Sequence, residues 1–296
     1  MEKADVKDCI VVGGGPAGLT AALYLARFQR SVTLFDAADG RAVMIPKTHN
    51  IGPFPGGISG RELVDRMRSH AELYGAVLET ATVSAVEKRG ELFCVTTERK
   101  VEMARTVVFA CGVFNHRPPL PVAEHNRGLS LGLIRYCPVC DGYEVRGKRI
   151  AVFGSGDNAF AEARFISTYS PSVTLIPSDG SVGVGRDGIA VLAQAMTGMA
   201  LSDSQVIVTL QNGETACFDT LYVALGTRAR SDLAAGAGVR IAEAGCILVD
   251  AKQKTDIDGA YAVGDITDGL DQIAVAMGQG AVAATAIHND LSLAKR

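Results

Sequence analysis

Tyr136-Cys137-Pro138-Val139-Cys140-Asp141-Gly142 holds the residues best equipped for chemistry in this chain. Two thiols with two residues between them can close a small disulfide ring, and such a setting lowers the pKa of one thiol. Half of a structural zinc site has the same spacing, but zinc needs about four ligands, normally including a second close pair. Cys9, Cys94, Cys111, Cys217 and Cys246 are singletons, and the five histidines show no ligand spacing. The pair is therefore read as a redox dithiol with no metal expected; half a zinc site and inert structural cysteine are the competing readings. Asp141, beside the second sulfur, can donate a proton to a leaving thiolate. Taken alone it is equally an Asp-Gly turn.

Glycines at the join of a strand and a helix form the second group. Cys9-Ile10-Val11-Val12 is an apolar, β-branched run ending in Gly13-Gly14-Gly15-Pro16-Ala17-Gly18, and an apolar helical stretch from Leu19 to Ala26 follows. In that setting Gly13-x-Gly15-x-x-Gly18 is a dinucleotide fingerprint, giving a tight turn, close approach of a pyrophosphate and close helix–strand packing. The helix start, with Pro16 and Ala17, adds unpaired N–H groups and positive dipole. Asp36 ends the next strand, 18 residues after Gly18, where a carboxylate accepts hydrogen bonds from a ribose diol. A bare tight turn is the competing reading. Farther on, a strand ends in Val263-Gly264-Asp265, and Asp271-Gln272-Ile273-Ala274 opens a helix rich in Gly and Ala. Asp265 there can hold a ribityl or pyrophosphate portion, and a helix start can stabilise negative charge on a reduced flavin. The first loop is thus expected to take FAD rather than a nicotinamide cofactor, although Gly-Asp by itself is usually only a turn.

The elements that position these residues occur twice. Ile150-Ala151-Val152-Phe153 runs into Gly154-Ser155-Gly156-Asp157-Asn158-Ala159, then a helical stretch, then Ser172-Val173-Thr174-Leu175. Gly13 to Gly154 and Val32 to Val173 are the same 141 residues apart. Val107-Val108-Phe109-Ala110-Cys111-Gly112 and Leu221-Tyr222-Val223-Ala224-Leu225-Gly226 are later counterparts, with an offset of 114. Gly112 joins the first nucleotide site; Gly154, Gly156 and Ala159 make the second. Strands alternating with helices imply parallel sheets with crossovers. The expected fold class is α/β, with two Rossmann-like three-layer nucleotide-binding domains, the second inserted into the first. Arg117-Pro118-Pro119-Leu120-Pro121 cannot continue a strand or helix, and a Gly/Ala-rich stretch runs from Gly236 to Gly245. The expected boundaries are 1–116 for the first segment of the FAD domain, 117–243 for the insert carrying the cysteine pair, and 244–296 for the segment that completes the FAD domain.

The 296 residues suit about two domains. With 48% apolar and 21% charged residues the composition is that of an ordinary globular protein. A net charge of −3 gives no footprint for nucleic acid or an anionic membrane. Met1-Glu2-Lys3-Ala4-Asp5 is as acidic as basic, and the apolar run after it is broken by glycines and a proline. A signal peptide or membrane span has neither feature, and a soluble, cytoplasmic protein is expected.

Over nearly its whole length the chain resembles bacterial low-molecular-weight thioredoxin reductases and their relatives among the FAD-dependent pyridine nucleotide-disulfide oxidoreductases. The resemblance rests on Gly13–Gly18, Cys137–Gly142, Gly154–Ala159, Ala262–Asp265 and the order of these motifs. It implies a homodimer with FAD in each subunit. It implies that Cys140 faces the flavin, that Cys137 attacks the partner disulfide and that Asp141 is the acid. It also makes Asn50, Gln272 and Ile273 flavin contacts. A domain rotation is implied as well, with hinges at Pro118-Pro119 and in the Gly236 to Gly245 stretch. The implied partner is a thioredoxin-like protein, with a small dithiol or disulfide as the other option.

The chain departs from that family at one place. Thioredoxin reductases follow the second strand of the insert with a His-Arg-Arg cluster that pairs with the 2′-phosphate of NADPH. Here Val173-Thr174-Leu175-Ile176 runs into Pro177-Ser178-Asp179-Gly180, and Arg186 is the nearest cation. Losing one charge-assisted phosphate bond costs about 1.5–3 kcal/mol, so two lost contacts weaken NADPH roughly a hundredfold. NADH with Asp179 on the free 2′-OH, a ferredoxin donor, and oxidation of a small-molecule dithiol all fit this departure.

Overall fold

Cys9-Ile10-Val11-Val12 offers no polar face, and the strand it forms, Lys7–Val12, is buried on both sides. Such a strand belongs in the middle of a parallel sheet. Lys7–Val12 pairs in parallel with Val32–Asp36 on one side and Val101–Phe109 on the other. Val77–Thr80 lies beyond Val32–Asp36, so the order is third, second, first, fourth, as in a Rossmann unit. Ala260–Ala262 adds in parallel to Val101–Phe109, which brings the C-terminal segment into this sheet. Val83–Arg89 and Leu92–Thr97 continue from Val101–Phe109 as an antiparallel meander.

Helices Pro16–Arg27, Gly60–Leu73 and Ile273–Leu293 cover one face, with Leu19, Leu25, Val64, Ala283 and Ile287 in a common core. Gly280 permits the close approach of the first and last of these: a Cβ there would lie 2.3 Å from the Ala17 carbonyl oxygen. Helix Gly60–Leu73 begins at Ser59, whose side chain accepts from the Glu62 N–H at 3.2 Å.

The order recurs in a second sheet. Ala190–Val191, Val173–Ile176, Ile150–Phe153 and Thr220–Val223 follow one another, all parallel, and Ile134–Arg135 is added at the edge. Helix Gly156–Ser167 crosses between Ile150–Phe153 and Val173–Ile176. An antiparallel sheet of Met196–Leu201, Val206–Leu210 and Thr215–Phe218 shares a core with it through Phe153, Val206, Val208 and Leu221. The α/β class with two Rossmann-like units, read from the sequence, is the observed one.

This computed structural model describes residues 6–293, so the Met1–Asp5 stretch read above for its charge lies outside the described residues. The chain divides into two units. The first comprises the described residues up to Met44, then Ile58–Phe114, and those from Arg228 onward; the second comprises Ile45–Gly57 and Asn115–Thr227. Residues 228–243, assigned above to the insert, group with the first unit, because Ala234, Ala237 and Val239 pack in one core with Val86 and Phe93. The Gly236 to Gly245 stretch therefore lies inside the first unit and not at a chain crossing. No described helix is long and apolar enough to cross a membrane.

Candidate functional site

Pro138 at the first helical position and Cys137 as N-cap turn the chain through one short helix, Pro138–Asp141. The Cys140 N–H donates to the Cys137 sulfur at 3.2 Å. The two Cα atoms are 5.3 Å apart and the sulfurs are joined as a disulfide. Gly142 packs against the ring of Tyr169, where a Cβ would approach to 2.7 Å. The other five cysteines are unpaired. Burial pushes the Cys9 thiol up to about 12 and that of Cys111 to about 11, so neither is a nucleophile at neutral pH. No metal-binding cluster occurs among the described residues.

Asp141 directly follows Cys140, and both of its carboxylate oxygens are engaged. Arg135 Nη1 donates to Oδ2 at 2.6 Å, and the Tyr222 hydroxyl donates to Oδ1 at 2.7 Å. Sheet register brings the two donors together: Arg135 on strand Ile134–Arg135 stands opposite Tyr222 on Thr220–Val223. Burial raises the Asp141 carboxyl above its usual range, while Arg135 and Tyr222 pull it back down. Burial, reinforced by Asp141, pushes the Tyr222 hydroxyl well above its ordinary value. Neither donor was singled out in the sequence. Tyr222 sits in a buried strand that reads as apolar, and Arg135 precedes the cysteine motif as an unremarkable cation. Only the cross-strand register reveals them.

The first glycine loop fits a dinucleotide diphosphate. Gly13 has φ of +115°, and a Cβ there would lie 2.2 Å from the Ala110 carbonyl oxygen; one on Gly18 would lie 2.0 Å from that of Gly13. Both positions admit only glycine. Gly15, by contrast, faces open space, and the helix that starts after it at Pro16 has no side-chain cap. A helix start with no side-chain cap and no side chain over Gly15 suits an anion. Asp36 stands against the loop, since a Cβ on Gly14 would meet its Cγ at 2.3 Å. Its Oδ2 accepts from Arg68 Nη1 at 3.0 Å and its Oδ1 from the Ala38 N–H at 3.1 Å. Gly112, with φ of +66°, ends the neighbouring crossing.

Gly264 packs on Ala17, and its N–H donates to Gln279 Oε1 at 2.6 Å. Asp265 shares Arg41 with Asp271: Nη1 donates to the two carboxylates at 3.2 and 2.9 Å. Burial, followed by the Asp271 charge, raises the Asp265 carboxyl. Gln272 precedes the helix that starts at Ile273, and its carbonyl accepts from the Ala276 N–H at 2.9 Å. These residues, with the first loop, Asp36 and Gly112, belong to the first unit. Asn50 does not: it accepts from the Thr48 hydroxyl at 2.8 Å within Ile45–Gly57, which groups with the second unit. Arg68 and Arg41 escaped the sequence reading because their partners lie 32 and 224 residues away.

The second loop has the same form. A Cβ on Gly154 would lie 2.4 Å from the Ala224 carbonyl oxygen, Gly156 has φ of +74° and faces open space, and Ala159 is fully buried. Ser155 Oγ accepts from the Ser178 and Asp179 N–H groups at 3.0 and 3.3 Å, tying the loop to the end of Val173–Ile176. Asp179 Oδ1 accepts from the Ser181 N–H and hydroxyl at 3.0 and 2.7 Å, which holds this carboxyl below its usual range. Arg186 does reach the loop, but it is paired with Asp157 and stacked 4.0 Å from the Phe160 ring centroid.

A family model described as pyridine nucleotide-disulphide oxidoreductase matches residues 7–280. A thioredoxin reductase of Streptomyces coelicolor is 32% identical over 307 residues, spanning 95% of this chain and 92% of that protein. A bifunctional thioredoxin reductase/thioredoxin of Mycobacterium leprae is 34% identical over 94% of this chain and 64% of its own length. The crystal structure of thioredoxin reductase from Streptococcus pyogenes superposes with a TM-score of 0.87 at 26% identity, covering 98% of this chain and 99% of that one.

Proposed function

Since the chain belongs to the pyridine nucleotide-disulphide oxidoreductase family, we propose that it passes two electrons from a nicotinamide donor, by way of FAD and the Cys137/Cys140 pair, to a thioredoxin-like protein. The carrying observation is the Cys137–Cys140 disulfide beside the half-buried Asp141 carboxyl. FAD supplies a two-electron store between donor and disulfide. Gly13, Gly15, Pro16, Ala17 and Gly18 would hold its diphosphate and Asp36 a ribose. Gly112, Gly264, Asp265, Gln272 and Ile273 complete the proposed set.

In the reduced state Cys137 attacks one sulfur of the partner disulfide. A Cys137–partner bond forms, the partner's own disulfide breaks, and the departing thiolate takes a proton from Asp141. Cys140 then attacks the Cys137 sulfur, restoring the internal disulfide and releasing the second partner thiolate, which takes up the proton that Cys140 gives up. Two electrons have left the protein and two partner thiols are formed. A thioredoxin-like partner is supported by the M. leprae relative, whose name joins reductase and thioredoxin.

The proposed donor is NADH, bound at Gly154, Gly156 and Ala159. Asp179 is charged beside this loop and would accept from a free 2′-OH but repel a 2′-phosphate. The reading includes a cytoplasmic location, supported by the unpaired state of the other five cysteines. The deciding test is Cys140→Ser. It should bind FAD fully and lose thioredoxin reduction; persistent turnover would place the chemistry elsewhere.

A further inference from the structure

Asp141 is held by two donors that differ in what they can do. A guanidinium has five N–H groups and no acceptor, whereas a tyrosine hydroxyl can donate or accept. Arg135 Nη1 is 2.6 Å from Oδ2 and the Tyr222 hydroxyl is 2.7 Å from Oδ1. Arg135 can stay bonded only while Oδ2 remains an acceptor. A proton arriving on the carboxyl is thereby confined to Oδ1. There the Tyr222 hydroxyl can rotate from donating to accepting, so one partner serves both protonation states. Tyr222 is fully buried, and Arg135 is held beside it by the register of the parallel pair. Glu144, on the turn after Asp141, is the other charge acting on this carboxyl, and it opposes ionisation.

We infer that Arg135 and Tyr222 are positioning residues that fix Asp141 with its transferable proton on Oδ1, directing it to the thiolate that leaves during disulfide exchange. This rests on the reading of Asp141 as the acid. The step is balanced: the proton moves from Oδ1 to the departing sulfur, Asp141 is left as a carboxylate, and Tyr222 returns to donating to Oδ1. Only a basic leaving thiolate needs that proton, since an acidic thiol leaves readily without help.

The test exploits that difference. Holoenzyme is reduced anaerobically with dithionite, freed of excess, and mixed either with bis(hydroxyethyl) disulfide, whose leaving thiolate is basic, or with dithiobis(nitrobenzoate), whose leaving thiolate is acidic. Return of flavin colour is timed with each. In Arg135→Met and Tyr222→Phe the ratio of the alkyl to the aryl rate should fall about tenfold, a fraction of the full effect of a general acid. Arg135→Lys should recover part of it. Asp141→Asn should lower the ratio at least as far. If Arg135→Met fails to fold, as judged by flavin content and thermal midpoint, Tyr222→Phe, which keeps the ring, decides alone. An unchanged ratio in Tyr222→Phe and Arg135→Met, with a fall in Asp141→Asn, would overturn the positioning role and leave Asp141 as the acid. Equal slowing of both substrates would make the pair purely structural. An unchanged ratio in Asp141→Asn would remove the acid itself, and the inference with it.

Discussion

At the residue scale, Gly13 leaves the first glycine loop little tolerance for substitution. Its φ of +115° strains any side chain, and a Cβ would press into the Ala110 carbonyl at 2.2 Å. Gly13→Ala should cost about 2–4 kcal/mol, combining left-handed strain with overpacking. The protein should be purified with a lower thermal midpoint and less bound flavin. A fully yellow variant with an unchanged melt would show that the turn has more freedom than these distances allow. What could not be read were the second partners. Arg68 on Asp36, Arg41 on Asp265 and Tyr222 on Asp141 are each brought in by another element. Each carboxylate was found from its motif, and the group that holds it came only from the fold.

At the element scale, the duplicated strand–turn–helix–strand unit was readable as a constant offset, and the sheets repeat it as the same strand order. The antiparallel strands Val83–Arg89, Leu92–Thr97 and Met196–Leu201 escaped notice, because they carry no motif and only partly alternate. Helix Asp232–Gly236 groups with the first unit, where Ala234 packs in one core with Val83 and Val86. The segment after Val173–Ile176 has a functional consequence. It presents Asp179 as an ionised carboxylate, and the nearest cation along the chain, Arg186, is already paired with Asp157. Anaerobic mixing should therefore bleach the flavin more readily with NADH than with NADPH, roughly a hundredfold in apparent affinity if two phosphate bonds are missing. Rapid bleaching by micromolar NADPH would show that Arg186 exchanges Asp157 for the phosphate.

At the scale of the whole molecule, the family reading carries a homodimer, and light scattering should give twice the 31.0 kDa chain mass with one FAD per chain. A monomer with full turnover would detach assembly from activity. The two units also differ in how the carboxylates after their second strands, Asp36 and Asp179, are anchored. In the first, Asp36 is clamped by Arg68 from helix Gly60–Leu73, which is itself packed into the core through Val64 and Ala71. In the second, the stretch between Ile176 and Ala190 has no helix and is exposed over most of its length. Mutation in the first copy disturbs the interior, whereas in the second it rewrites only surface loop. Across an evolving lineage, preference for one electron source over another should thus drift quickly, while the prosthetic group stays the same.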